Sequence, residues 1–122
     1  MRVTKMMSVA GGLVLATVVT ALAAGKQDFT LVNKTGYTID QVYVSPAKSK
    51  DWEEDVLGKD QLANGDSWHI RFHRSETTCN WDLKVVYDDG EEAVWEKLNL
   101  CEIEKVTIRW NKKTGETTAT VE

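Results

Sequence analysis

Two cysteines, two histidines and one proline are all that 122 residues contain of those types, and each scarcity closes off a class of chemistry or architecture. Two cysteines cannot supply a four-cysteine zinc site or a multi-disulfide framework. Their separation, Cys79 to Cys101, is not the C-x-x-C spacing of a redox pair. A mixed zinc site would need both His69 and His73. On a strand those positions lie about 13 Å apart, too far to ligate one ion without bending. The catalytic signatures G-x-S-x-G, H-E-x-x-H and the phosphate-binding P-loop are all missing. An enzyme is therefore not expected, and no cofactor or resident metal is expected either.

What is present begins with an export-type leader. Arg2 and Lys5 form a basic start, Met6 to Val19 is almost wholly apolar, and Ala21-x-Ala23 supplies the small-x-small pattern of a cleavage site. Cleavage after Ala23 or Ala24 is expected, with residues 1–23 as signal peptide and 24–122 as one small domain. A retained membrane anchor is the rival reading, because Met6 to Ala24 is just long enough to span a bilayer. Gly11-Gly12 and the Ala-x-Ala end favour removal. No twin arginine is present, which points to the general secretory route.

Beyond residue 23 the basic residues fall from 15 to 13 while all 19 acids remain, so 13 − 19 leaves a net charge of −6. Such a surface repels phosphate backbones, and nucleic acid and anionic membranes are not expected partners. Lys112-Lys113 is read as an ordinary solvated turn.

Period-2 patterning runs from Asp28 to the end, with turn signals at short intervals, the mark of an all-β domain. Strands are predicted over 28–33, 38–45, 66–73, 80–87, 92–100, 105–110 and 116–121. Pro46 ends the second. Seven mostly antiparallel strands imply a small β-sandwich. One short helix is predicted at 49–58: Asp51 and Glu54 resemble a capping box, Trp52 and Val56 share a face, and Gly58 offers a stop.

The cysteines bracket a hairpin centred on Asp89-Gly90, the strongest turn signal in the chain. A two-residue loop sets Cys79 opposite Leu100, and one further loop residue sets it opposite Cys101. Either register brings the sulfurs together, so a structural disulfide is expected.

Candidate binding residues lie in the irregular acidic loop and on the third of these strands. Asp51, Glu53 and Asp55 have the first spacings of a calcium loop, but Val56 and Leu62 occupy positions that need Gly and Glu. His69, Arg71 and His73 are expected on one outward strand face. Five tryptophans are many for this length; most are expected in the core, leaving Trp52 as a candidate contact.

The blocks "NKTGYTIDQVYVSP", "DWEEDVLG" and "CNWDLKVVYDDGEEAVWEKLNLCE" resemble a family of small exported bacterial β-domains of unassigned function. Members are sometimes labelled Tat pathway signal proteins. The resemblance covers nearly all of residues 24–122 and implies an exported domain without implying a reaction. Asn33-Lys34-Thr35 is formally a glycosylation sequon, which means little if the source is bacterial, as the resemblance implies.

Together these features lead to the expectation of a periplasmic or secreted, non-catalytic binding or accessory domain. Its partner would be another exported protein or a cell-envelope ligand. The alternatives are an inhibitor or immunity-type protein and a calcium- or glycan-binding module.

Overall fold

Alternation of apolar residues decides which way each strand faces, and the computed structural model of residues 25–122 follows that alternation closely. The leader expected over residues 1–23 lies outside the described residues. Seven strands form: β1 (Phe29–Lys34), β2 (Ile39–Pro46), β3 (Ser67–Ile70), β4 (Asn80–Tyr87), β5 (Glu92–Asn99), β6 (Lys105–Asn111) and β7 (Glu116–Val121). They build two sheets, ordered β3-β1-β6-β7 and β2-β4-β5. All neighbours are antiparallel except β1 and β6, which run parallel.

The sheets form a small β-sandwich around one core. Phe29, Leu31, Ile70, Val106 and Ile108 enter it from the four-stranded sheet, and Val42, Trp81, Leu83 and Val85 from the other. Ile39, Leu57, Leu62 and Leu100 close its ends. Of the five tryptophans only Trp81 is fully buried. Trp68 and Trp95 pack on the core while partly exposed, and Trp52 and Trp110 stay outside it. This corrects the expectation that most are core: strand faces near an edge or end bury a ring on one side only.

The expected disulfide is present, joining Cys79 to Cys101 with Cα atoms 5.2 Å apart. The register that brings them together is set by two irregularities. Gly90 has φ +90° and accepts the left-handed turn position that a side chain would strain. Tyr87 bonds Glu91 across a three-residue loop, Asp88 to Gly90, so near the tip Val85 faces Ala93, and not Val94 or Trp95 as the two expected registers require. Continued unchanged, that register would set Cys79 against Asn99. A bulge intervenes at Lys97, whose φ of 56° is the one positive value outside glycine among the described residues. The Asp82 carboxylate accepts the Lys97 backbone N–H at 2.9 Å and so stabilises the bulge. Beyond it Trp81 faces Leu98, and the Leu100 N–H bonds the Cys79 carbonyl.

The helix predicted at 49–58 does not form; no described residue is helical. A helix so short is marginal alone, and the edge of β2 offers its backbone better partners. The Val56 N–H donates to the Val42 carbonyl, and the Val42 N–H donates to the Asp55 carboxylate, both at 2.8 Å. The same carboxylate accepts the Leu57 N–H at 3.0 Å. Asp55, and not Asp51, is thus the organising acid. Leu57 and Val56 still anchor the segment on the core as their hydrophobicity requires.

The third predicted strand is also shorter than 66–73. After Ile70 the chain leaves the ladder, because the Phe72 N–H donates to the Asp28 carboxylate at 2.8 Å. Gln27, fully buried, donates to the Glu76 and Thr78 carbonyls and ties the 74–78 loop to the start of the domain. Gly25 is needed there, since a Cβ would lie 2.5 Å from the Phe72 carbonyl oxygen.

Asn33, at the formal sequon, is fully buried and bonds the Tyr37 and Leu62 carbonyls and both donors of Thr35. Its amide is structural, with no room for a glycan.

Tyr87 yields a pH prediction. Burial pushes its phenol above the usual value, the nearby Thr117 side chain opposes this, and the Asp89 charge adds to it. The enclosed hydroxyl has no aligned hydrogen-bond partner. The folded state therefore holds this proton more tightly than the unfolded chain. The resulting stability is complete below pH 10 and is lost as pH rises through the folded value. Urea midpoints from pH 8 to 11 should fall more steeply for the native chain than for Tyr87→Phe. Equal slopes would refute the assignment.

Candidate functional site

The acidic loop and β3, read separately in the sequence, meet in space. Asp55 fixes the loop against β2 by accepting the Val42 N–H, and shapes the loop itself by accepting the Leu57 N–H. Gly58, at φ +63°, then turns the chain, with its N–H on the Asp55 carbonyl at 3.1 Å. This sets Glu54 to Gly58 across from Trp68 to Arg71. Between them runs a groove of about 470 Å³, lined by Glu54, Asp55, Val56, Leu57, Gly58, Trp68, His69, Ile70 and Arg71. Its base is aliphatic and aromatic, and its walls carry carboxylates on one side with an imidazole and a guanidinium on the other.

Three of the sequence candidates, Asp55, His69 and Arg71, therefore share one site. The remainder do not join them. His73 turns back on its own loop, its Nδ1 within 2.6 Å of the Ser75 hydroxyl. With Arg71 and His73 beyond the end of β3, the expected single face of three residues is broken. His69 keeps a place on the sheet, its Nδ1 at 3.2 Å from the Thr30 hydroxyl. Asp51 and Glu53 are exposed on the loop. Among the described residues no group of three or more His, Cys, Asp or Glu is placed to hold a metal ion.

Trp52, the remaining candidate contact, lies outside this groove. It lies over the outer face of the three-stranded sheet, its ring 6.5 Å from that of Tyr43. The Lys84 ammonium sits 4.9 Å from the Tyr43 ring centre and 5.1 Å from that of Trp52. A cation between two rings is worth about 0.5–1 kcal/mol per pair at an exposed site. It clasps the loop to the sheet, so the loop side of the groove is held from behind. Tyr43 and Lys84 were not singled out in the sequence. Strand alternation places both outward, and their cross-strand pairing was the signal available. Alternation alone points Trp68 to the core, and its edge-strand position leaves it partly exposed in the groove.

No family model and no curated protein matches the chain. Among solved structures, the NMR structure of a protein from Eubacterium rectale is similar, with a TM-score of 0.56 at 13% identity. The similarity covers 82% of this chain and 88% of that one, and at this identity it speaks to the fold alone. Among the described residues no helix is long and apolar enough to cross a membrane.

Proposed function

We propose that this chain is an exported, non-catalytic binding domain that holds an extended segment of another cell-envelope protein in the groove between Glu54–Gly58 and Trp68–Arg71. The observation that carries the reading is the groove's make-up: an apolar base with Trp68, bordered by acids on one wall and His69 and Arg71 on the other. Tryptophan and arginine are the residues on which protein interfaces most often depend. Opposed charges on the two walls fix the direction in which a peptide lies. Export is supported by the Cys79–Cys101 disulfide, a bond that persists in oxidising compartments, and by the leader-like first 23 residues.

The test is site-specific photo-crosslinking in the producing cell. A photoreactive residue at Arg71 should give one discrete adduct with an envelope protein, and Trp68→Ala should reduce it severalfold. The same probe at Asp89, on the hairpin tip, should give none. Absence of an adduct at both Arg71 and Glu54 would overturn the reading.

A further inference from the structure

The four-stranded sheet turns a second, chemically distinct surface outward. Alternation sends Lys34 of β1, Arg109 of β6, and Thr118 and Thr120 of β7 away from the core, because the neighbours Ile108 and Ala119 point into it. The register sets Lys34 beside Arg109, and Arg109 beside Thr118. At the hairpin end of this face lies a concavity of about 610 Å³, within the size range of ligand clefts. Arg109, Lys112, Lys113, Glu116 and Thr118 line it, with Trp110 contributing apolar surface.

Two features separate this place from a scatter of solvated lysines. The first is charge: three cations and one acid line the concavity, and Lys34 pairs beside Arg109, on a chain whose described part carries 13 basic and 19 acidic residues. A local excess of positive charge on an acidic protein does not follow from composition. The second is order. The Arg109 Nη1 donates to the Thr120 hydroxyl at 3.0 Å, which aims the guanidinium and occupies one of its five N–H groups. The turn bearing the lysines is fixed by the Asn111 side chain, which accepts the Lys113 N–H at 2.9 Å, and by the Asn111 carbonyl, which accepts the Gly115 N–H at 2.8 Å.

We infer that this concavity binds an acidic saccharide of the uronate type, one carboxylate per sugar ring. The Arg109 fork matches a carboxylate in geometry, the lysines supply less directional charge, and the Thr118 hydroxyl in the lining can both donate to and accept from sugar hydroxyls. A polyanion of much higher charge density fits less well, since the remainder of the acidic surface repels it. This inference is independent of the groove at Trp68.

The experiment titrates the protein, purified after expression of the full-length chain, with an oligogalacturonate while amide NMR shifts are followed. Saturable shifts over Arg109–Thr118 are expected, with a neutral galactose oligomer binding at least about tenfold more weakly. Loss of one charge-assisted contact in Arg109→Gln should weaken binding about tenfold. Lys112→Gln/Lys113→Gln, which leaves the Thr120 bond intact, should weaken it severalfold. Trp68→Ala should bind the saccharide unchanged. Absence of saturable shifts would overturn the inference. So would unaltered binding by both variants, or equal binding of polyglutamate or duplex DNA.

Discussion

Trp81→Ala is expected to cost about 4 kcal/mol, the largest loss of any single substitution proposed for this domain. The indole is 6% exposed and sits at the joint between the sandwich and the irregular 72–78 segment. Its ring centre is 4.8 Å from that of Phe72, in an edge-on arrangement. Its Nε1 donates to the Thr78 carbonyl at 2.8 Å. Truncation would leave a cavity that the fixed strands cannot close, and it would remove one of two donors to that carbonyl. Gln27 supplies the other, also at 2.8 Å, so the oxygen is not orphaned and the cavity dominates. Trp81→Phe should recover much of the loss, as it restores ring volume without the N–H. In a domain near 100 residues, 4 kcal/mol corresponds to a melting temperature lower by roughly 16–32 °C. Urea unfolding followed by circular dichroism measures it directly. A loss below about 1.5 kcal/mol would mean that the site collapses freely, contrary to the packing described.

The sandwich was legible because its information is local: alternation and turn residues specify each strand before any tertiary contact forms. β4 and β7 occupy the predicted residues, β5 and β6 differ by one residue at one end, and β1 and β2 are displaced by one residue at both ends. The misreadings share a cause. At 49–58, Asp51 and Glu54 carry a helix-start pattern, but Asp55 finds the Val42 N–H on β2 and Leu57 finds the core. At 71–73, alternation continues in the sequence while Asp28, 44 residues earlier, captures the Phe72 N–H. In both places a bond between a carboxylate and a backbone N–H distant in sequence competes with the local pattern and wins. The groove was half legible for the same reason. Asp55, His69 and Arg71 could each be named as polar and solvent-facing, whereas their meeting depends on the loop being drawn across β2. The basic concavity was missed because Lys112-Lys113 is ordinary as a dipeptide. It gains meaning only when parallel pairing with β6 brings Lys34 beside Arg109.

Removing the disulfide is expected to have the second-largest effect, about 3 kcal/mol in the chain-entropy model for cysteines 22 residues apart. The double variant Cys79→Ala/Cys101→Ala is the proper comparison, since a single substitution leaves a reactive thiol. The cost should fall on one end of the hairpin. The tip is held by its own Gly90 turn, and the ladder above the bulge pairs from Val86↔Glu92 to Leu83↔Trp95 without interruption. Below the bulge Trp81 and Asn80 pair with Leu98 and Asn99, and the cysteines then close the open end. Amide exchange in the double variant should therefore rise most at Asn80, Leu98 and Leu100, and little at Val85. Intact-mass measurement after alkylation, with and without reductant, first establishes the bond in the native protein; two alkylated thiols without reductant would remove it. A uniform rise in exchange across the hairpin would mean that the bridge acts on global stability alone, with no local fastening at its open end. The Lys97 bulge gives a sharper form of the same argument. If Asp82 sets the register that lets the cysteines meet, Asp82→Ala should slow oxidative refolding even though neither sulfur is touched, because the hairpin then samples the slipped pairing of Cys79 with Asn99.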